Sequence, residues 1–175
     1  MPRAVRSPTR RDLLPMLAAA LLLPARPVRA QAAAPSGSVV LTVAGSVGRP
    51  NRGSLADFDM AMLEQLPQQR IATGSPWYSG ETEFTGPLLA DVLAAADARG
   101  PSLRLTALND YRVDIPREDI TRYGVVLARL LDGKPMPVRE KGPLFVIYPF
   151  SRFPELRTAV YYNRCIWQLR RIDVS

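Results

Sequence analysis

Between Val39 and Val174 the apolar residues change period every few positions, and this limits the fold more than any other feature. "VVLTVAGSVG" (39–48), "SLRLTALND" and "YRVDIP" alternate and carry β-branched residues, which predicts strands; the last two meet at Asn109-Asp110. Only two stretches hold helical spacing. "SLADFDMAMLEQLPQQ" starts at Ser54 as an expected N-cap, sets Leu55, Phe58, Met62 and Leu66 on one face, and stops at Pro67. "GPLLADVLAAADARG" has Pro87 in its first turn, a stripe of Leu88, Val92, Leu93 and Ala96, and Gly100 at its close. "REDITRY" is a short helical or irregular link, and "GVVLARLLDGKPM" predicts a strand and an Asp132-Gly133 turn. "GPLFVIYP" reads as a buried strand, and "YYNRCIWQLRRIDV" as the last strand or two. "RIATGS" is a short strand that runs into a pocket loop, "SPWYSGETEF", ahead of the second helix. The pattern is that of an α+β domain with a mostly antiparallel sheet and a few short helices.

The first 30 residues stand apart. Arg3, Arg6, Arg10 and Arg11 head an apolar run, Leu13–Pro24, too short to span a bilayer. Val28 and Ala30 then occupy the small-residue positions of a cleavage site before Gln31. This predicts a cleaved signal peptide over 1–30 and export to the periplasm; an uncleaved anchor is the alternative. The Arg10-Arg11 pair suits a twin-arginine signal, and chance pairing in an ordinary secretory signal remains the other reading. Residues 31–38 form a small, polar linker, and residues 39–175 a single domain.

The leader holds six of the 23 basic residues and one of the 16 acidic ones, so the rest of the chain carries 17 and 15, a net charge of +2. No dense basic stripe remains, which argues against nucleic-acid binding. The chain has no histidine and one cysteine, Cys165. An internal disulfide is therefore impossible, and the usual zinc, haem and Ser-His-Asp chemistries lose their commonest residue. Cys165 is expected to be a small buried apolar residue.

Six segments in order carry a resemblance: "LTVAGSVG…LADFDMAMLEQLPQQ", "TGSPW" with "FTGPLLADVL", "ALNDYRVDIP", "LARLLDGKPMP", "REKGPLFVIYP" and "CIWQLRRIDV". Together they resemble the sulfite oxidase–type molybdopterin-binding fold, over most of Val39–Val174. The resemblance implies a cysteine four residues before the loop tryptophan as molybdenum ligand. Counting back from Trp77 lands on Thr73, a neutral hydroxyl and a poor substitute for a thiolate. It also implies a phosphate-binding arginine two residues after the proline of "GPL", where Phe145 stands. Cys165 lies in a different segment and does not easily replace the lost sulfur.

What survives suits the organic half of the cofactor. Trp77 or Tyr111 can stack on a flat pterin. Asn109 and Asp110 can pair with its donor–acceptor edge, Arg139 and Lys141 can meet its polar tail, and Thr73 and Ser75 add hydroxyls. The short, exported, cysteine-less branch of the fold resembles periplasmic pterin-binding regulatory proteins, which respond to reduced pterins and act on a membrane-bound cyclic di-GMP enzyme. Such a protein binds a reduced pterin, needs no metal or covalent cofactor, and has the periplasmic domain of a membrane enzyme or sensor kinase as partner. The alternatives are a molybdopterin-dependent oxidoreductase with atypical metal ligation, and an accessory subunit that kept only the fold.

Each of these residues also has a plainer reading. Asn109-Asp110 suits a hairpin turn alone, and Arg139 with Lys141 a solvated charge cluster. Trp167 suits the core ahead of the pocket, Tyr161 and Tyr162 suit strand packing ahead of the pocket mouth or a partner surface, and Glu81 and Glu83 a solvated loop edge.

Overall fold

The computed structural model describes residues 33–175. The expected signal peptide, its cleavage site and the twin arginines lie outside the described residues. Among the described residues no helix is long and apolar enough to cross a membrane.

A five-stranded sheet runs in the order β2 (Ala56–Asp59), β1 (Val39–Gly45), β12 (Leu169–Val174), β5 (Ser102–Ala107), β6 (Arg112–Pro116). Only β1 and β12 pair in parallel; the other pairs in this sheet are antiparallel. Apart from β2, its strands alternate broadly as a half-buried sheet should. Leu41, Val43, Leu103, Leu105, Ile115 and Ile172 are fully buried on one face, while Thr42, Arg104, Asp114, Arg171 and Asp173 take the other. A four-stranded sheet runs β3 (Gln68–Ser75), β4 (Tyr78–Pro87), β8 (Leu130–Leu131), β9 (Lys134–Pro135), and a three-stranded one β11 (Ile166–Trp167), β10 (Phe145–Ile147), β7 (Val126–Ala128). The short helices are α1 (Met60–Gln65), α2 (Leu89–Ala95), α3 (Arg117–Tyr123) and α4 (Ala159–Arg164). Phe84, Phe145, Tyr148 and Phe150 are the largest fully buried side chains of the shared core.

Several boundaries differ from the sequence reading, each for a physical reason. Ser54 caps no helix. Residues 56–59 pair with β1, all four are buried, and Asp59 caps α1 by accepting the Met62 N–H at 2.8 Å. Asp59 also accepts the N–H groups of Ser36 and Gly37, so the end of the expected linker is held against the domain. The second helix starts at Leu89, not Gly86. A Cβ on Gly86 would stand 2.0 Å from the Leu127 carbonyl oxygen, so this glycine serves close strand approach rather than a helix start.

The expected pocket loop is a hairpin. Residues 78–87 form β4 and pair with β3, so Thr73, Glu81 and Glu83 sit in strands, with only Pro76 and Trp77 at the tip. Tyr161 and Tyr162 lie in α4 instead of a strand. The hairpins joined at 108–111 and at Asp132-Gly133 stand as expected, with Asp132 and Gly133 both at positive φ.

Candidate functional site

The tip of the β3–β4 hairpin leans on a cluster of rings. Trp77 meets Phe145, Tyr162 and Trp167 edge-on, with centroids 5.5, 6.2 and 5.9 Å away. Phe145 is fully buried and also meets Trp167 edge-on at 6.0 Å. It therefore braces both tryptophans from the core side. Such edge-to-face pairs fix ring orientation as well as burying area.

Beside this cluster opens a cleft of about 530 Å³. This volume falls within the usual range for small-molecule sites, about 300–1,000 Å³. Trp77 and Trp167 line it with Tyr111, Tyr162, Asn109, Asn163 and Cys165. Each part comes from a different element. Trp77 is at a hairpin tip, Asn109 and Tyr111 in the β5–β6 turn, Tyr162 and Asn163 on α4, and Trp167 at the end of β11. Asn109 is shaped by its turn: its Oδ1 accepts the Tyr111 N–H at 3.2 Å, which leaves its amide N–H groups free to donate. Flat aromatic walls with two primary amides suit a planar ring that has donors and acceptors on its edge.

The structure brings three of the eight expected residues to this cleft: Trp77, Asn109 and Tyr111. Thr73 is fully buried in β3. Its Oγ1 accepts the Ser151 N–H at 3.0 Å and donates to the Gly74 carbonyl at 3.3 Å. Ser75 has an enclosed hydroxyl with no hydrogen-bond partner among the described residues. Asp110, at φ 63°, is bound by Arg170. Arg139 is exposed and pairs with Glu140 at 3.3 Å. The Lys141 ammonium lies 5.0 Å from the Tyr78 ring centroid and 5.9 Å from that of Trp167. Burial, chiefly, then the nearby Glu140 and Asp132 carboxylates, push the Tyr78 phenol above its ordinary range.

Sequence reasoning missed Asn163 and Cys165 as cleft residues, and it ranked packing ahead of the pocket for Tyr162 and Trp167. Trp167, expected in the core, packs on it with one part and lines the cleft with another. Cys165 is buried as expected, and burial pushes its thiol well above the usual range. It is nevertheless part of the cleft wall, at the junction of α4 and β11. The available signal was "TAVYYNR", a threonine ahead of a six-residue helical run.

The wall that carries Tyr162 and Asn163 is fixed at one end. Arg164 binds the Asp119 carboxylate on α3, which also accepts the Tyr148 hydroxyl at 3.0 Å. Burial, chiefly, and the adjoining Asp119 carboxylate push the Tyr148 phenol far up, so it stays a donor. No group of three or more His, Cys, Asp or Glu side chains among the described residues is placed to hold a metal ion.

No curated protein sequence matches the chain. The fold is similar to the crystal structure of the sulfane dehydrogenase SoxCD from Paracoccus pantotrophus, with a TM-score of 0.57 and 18% identity. That likeness covers 77% of this chain and 37% of the SoxCD chain, and at such identity it speaks to fold alone. The observed architecture is α+β, mostly antiparallel, and sulfite oxidase-like. Residues 31–153 match the model of the oxidoreductase molybdopterin binding domain; with well over half of the sequence covered, the chain belongs to that family.

Proposed function

We propose that this protein is a non-catalytic, exported pterin-binding protein that regulates the periplasmic part of a membrane-bound cyclic di-GMP enzyme or sensor. The observation that carries this reading is the cleft itself, lined by the aromatic residues Trp77, Trp167, Tyr111 and Tyr162 and by the amide residues Asn109 and Asn163. A reduced pterin presents the matching flat ring and donor–acceptor edge.

The residues present do not fit the metal half of the family's cofactor at the expected place. The Thr73 hydroxyl is fully buried, already hydrogen-bonded twice, and offers no soft sulfur. Phe145 is an apolar brace where the resemblance puts a phosphate-binding arginine. The regulatory output is a population shift: bound pterin favours one arrangement of the hairpin tip and α4, which requires unequal affinity for the two arrangements.

One observation favours the second reading, a molybdopterin-dependent oxidoreductase with atypical ligation. Cys165, the chain's only thiol, lines the same cleft. Its burial works against this, because a metal ligand in the cleft must present its sulfur to the opening and Cys165 is only 3% exposed.

Protein purified anaerobically from its native host and then denatured decides between them, by mass spectrometry of the released molecule together with molybdenum analysis. A free pterin without molybdenum is expected. Molybdopterin with stoichiometric molybdenum establishes the oxidoreductase. Failure to release or to bind any reduced pterin, with a tightly held partner, leaves the accessory-subunit reading.

A further inference from the structure

The outer strand of the four-stranded sheet, β3, is eight residues long and hydrogen-bonded on one side only. Its neighbour shows which of its groups face outward. In β4, the Thr85 carbonyl accepts Arg129 N–H and the Glu83 carbonyl accepts Asp132 N–H, at 2.9 and 2.8 Å, so both residues turn their backbone groups away from β3. Arg70 stands opposite Thr85 and Ala72 opposite Glu83. In an antiparallel ladder such pairs are the non-hydrogen-bonded ones, so the N–H and C=O of Arg70 and Ala72 point to the open side. Gly74 follows the same parity, and its N–H is taken by Ser151 Oγ at 3.1 Å. The edge is thus covered at Gly74 and open at Arg70 and Ala72, which have no backbone partner among the described residues.

A groove of about 400 Å³ runs along this open part. Four consecutive residues, Gln69 to Ala72, line one side of it, whereas a strand face would supply alternate residues only. The other side includes Tyr123, Val126 and Arg152. No carboxylate lines the groove. Arg70 has one distant partner, Glu83 at 3.5 Å, and Arg152 lies over the Phe153 ring with no acidic partner among the described residues. Long open edges of this kind normally carry a bulge, a proline, a charged side chain or a covering segment. Among the described residues, 69–72 have only the charge of Arg70.

We infer that the open edge of β3 is a docking site for an extended acidic segment of a partner protein, which joins the four-stranded sheet as a fifth strand at Arg70 and Ala72. A second copy of this chain is the poorer occupant, because edge-to-edge pairing would gather the arginines of both copies in one groove. The inference stands independently of the pterin reading. If both hold, the docking strand leads directly into Pro76 and Trp77 of the cleft wall.

The test uses the full protein and a synthetic peptide of alternating valine and glutamate, followed by amide hydrogen exchange. Saturable binding is expected, with slowed exchange at Arg70 and Ala72. A peptide of alternating valine and lysine should bind at least about tenfold more weakly. Ala72→Pro removes an outward N–H, a change edge strands accept, and should abolish binding. Arg70→Glu keeps the backbone intact and should reverse the preference between the two peptides. Unchanged exchange at both amides, or equal binding by both variants and the parent, overturns the inference. Concentration-dependent self-association that protects the same amides without peptide also overturns it, and assigns the edge to a second copy.

Discussion

Thr73 and Ser151 are locked together across 78 positions of chain: the Thr73 hydroxyl accepts the Ser151 N–H at 3.0 Å. Ser151 returns a bond to the same strand, accepting the Gly74 N–H at 3.1 Å. The hydroxyl at the expected metal-ligand position therefore fastens the β3–β4 hairpin to the segment that precedes α4.

Thr73→Val keeps the shape and leaves the Ser151 N–H without its acceptor. The expected loss is about 1–3 kcal/mol, read from denaturant unfolding. Thr73→Ser should lose clearly less, because it retains the acceptor. Equal losses in the two variants would mean that packing, not the hydrogen bond, sets the role of Thr73.

Asn163 is exposed on α4, lines the cleft and makes no side-chain hydrogen bond among the described residues. Asn163→Ala should weaken binding of a reduced pterin about tenfold, the loss of one good hydrogen bond, with an unchanged melting temperature. Calorimetric titration measures the first and thermal unfolding the second. Unaltered affinity would remove Asn163 from the ligand edge.

Arg164→Met leaves the Asp119 carboxylate, only 7% exposed, beside Tyr148 without its cation. Breaking one partner of such a pair typically costs about 3 kcal/mol. The double variant Asp119→Asn, Arg164→Met should recover part of that loss in a thermodynamic cycle. Since α4 is tied down here, the single variant should also raise hydrogen exchange along 159–164.

Acid should unfold this protein through two aspartates on β2. The Arg52 guanidinium, bonded to Asp57 with help from the Thr42 hydroxyl, holds that carboxyl below its ordinary range. The N–H groups of Met62, then Gly37 and Ser36, do the same for Asp59. Because the unfolded chain takes up these protons first, near an ordinary aspartate pKa of about 3.9, the stabilisation is full above that value. It is lost as pH falls through the lower folded values. The urea midpoint should therefore drop steeply below about pH 4, and less steeply in Asp59→Asn, which caps α1 without titrating.

The sequence made the fold legible where local chemistry and burial agree. The 102–116 hairpin and the Asp132-Gly133 turn have alternating strands and turn residues with no competing signal. α4 was hidden because none of its six residues is fully buried, so it has no apolar stripe to read. β4 was hidden because Ser79, Gly80 and Glu81 are exposed and spell a loop, though they continue the strand. The cleft was half legible for a related reason. Trp77, Asn109 and Tyr111 stand in recognisable turns, whereas Tyr162 and Trp167 reach them only through tertiary packing, which no spacing records.

The place of β12 between β1 and β5 bears on the order in which the chain folds. Until residues 169–174 are in place, the β1–β2 and β5–β6 pairs lack the strand that joins them. The five-stranded sheet therefore closes only when segments far apart in sequence meet, and its hydrophobic face stays open until then.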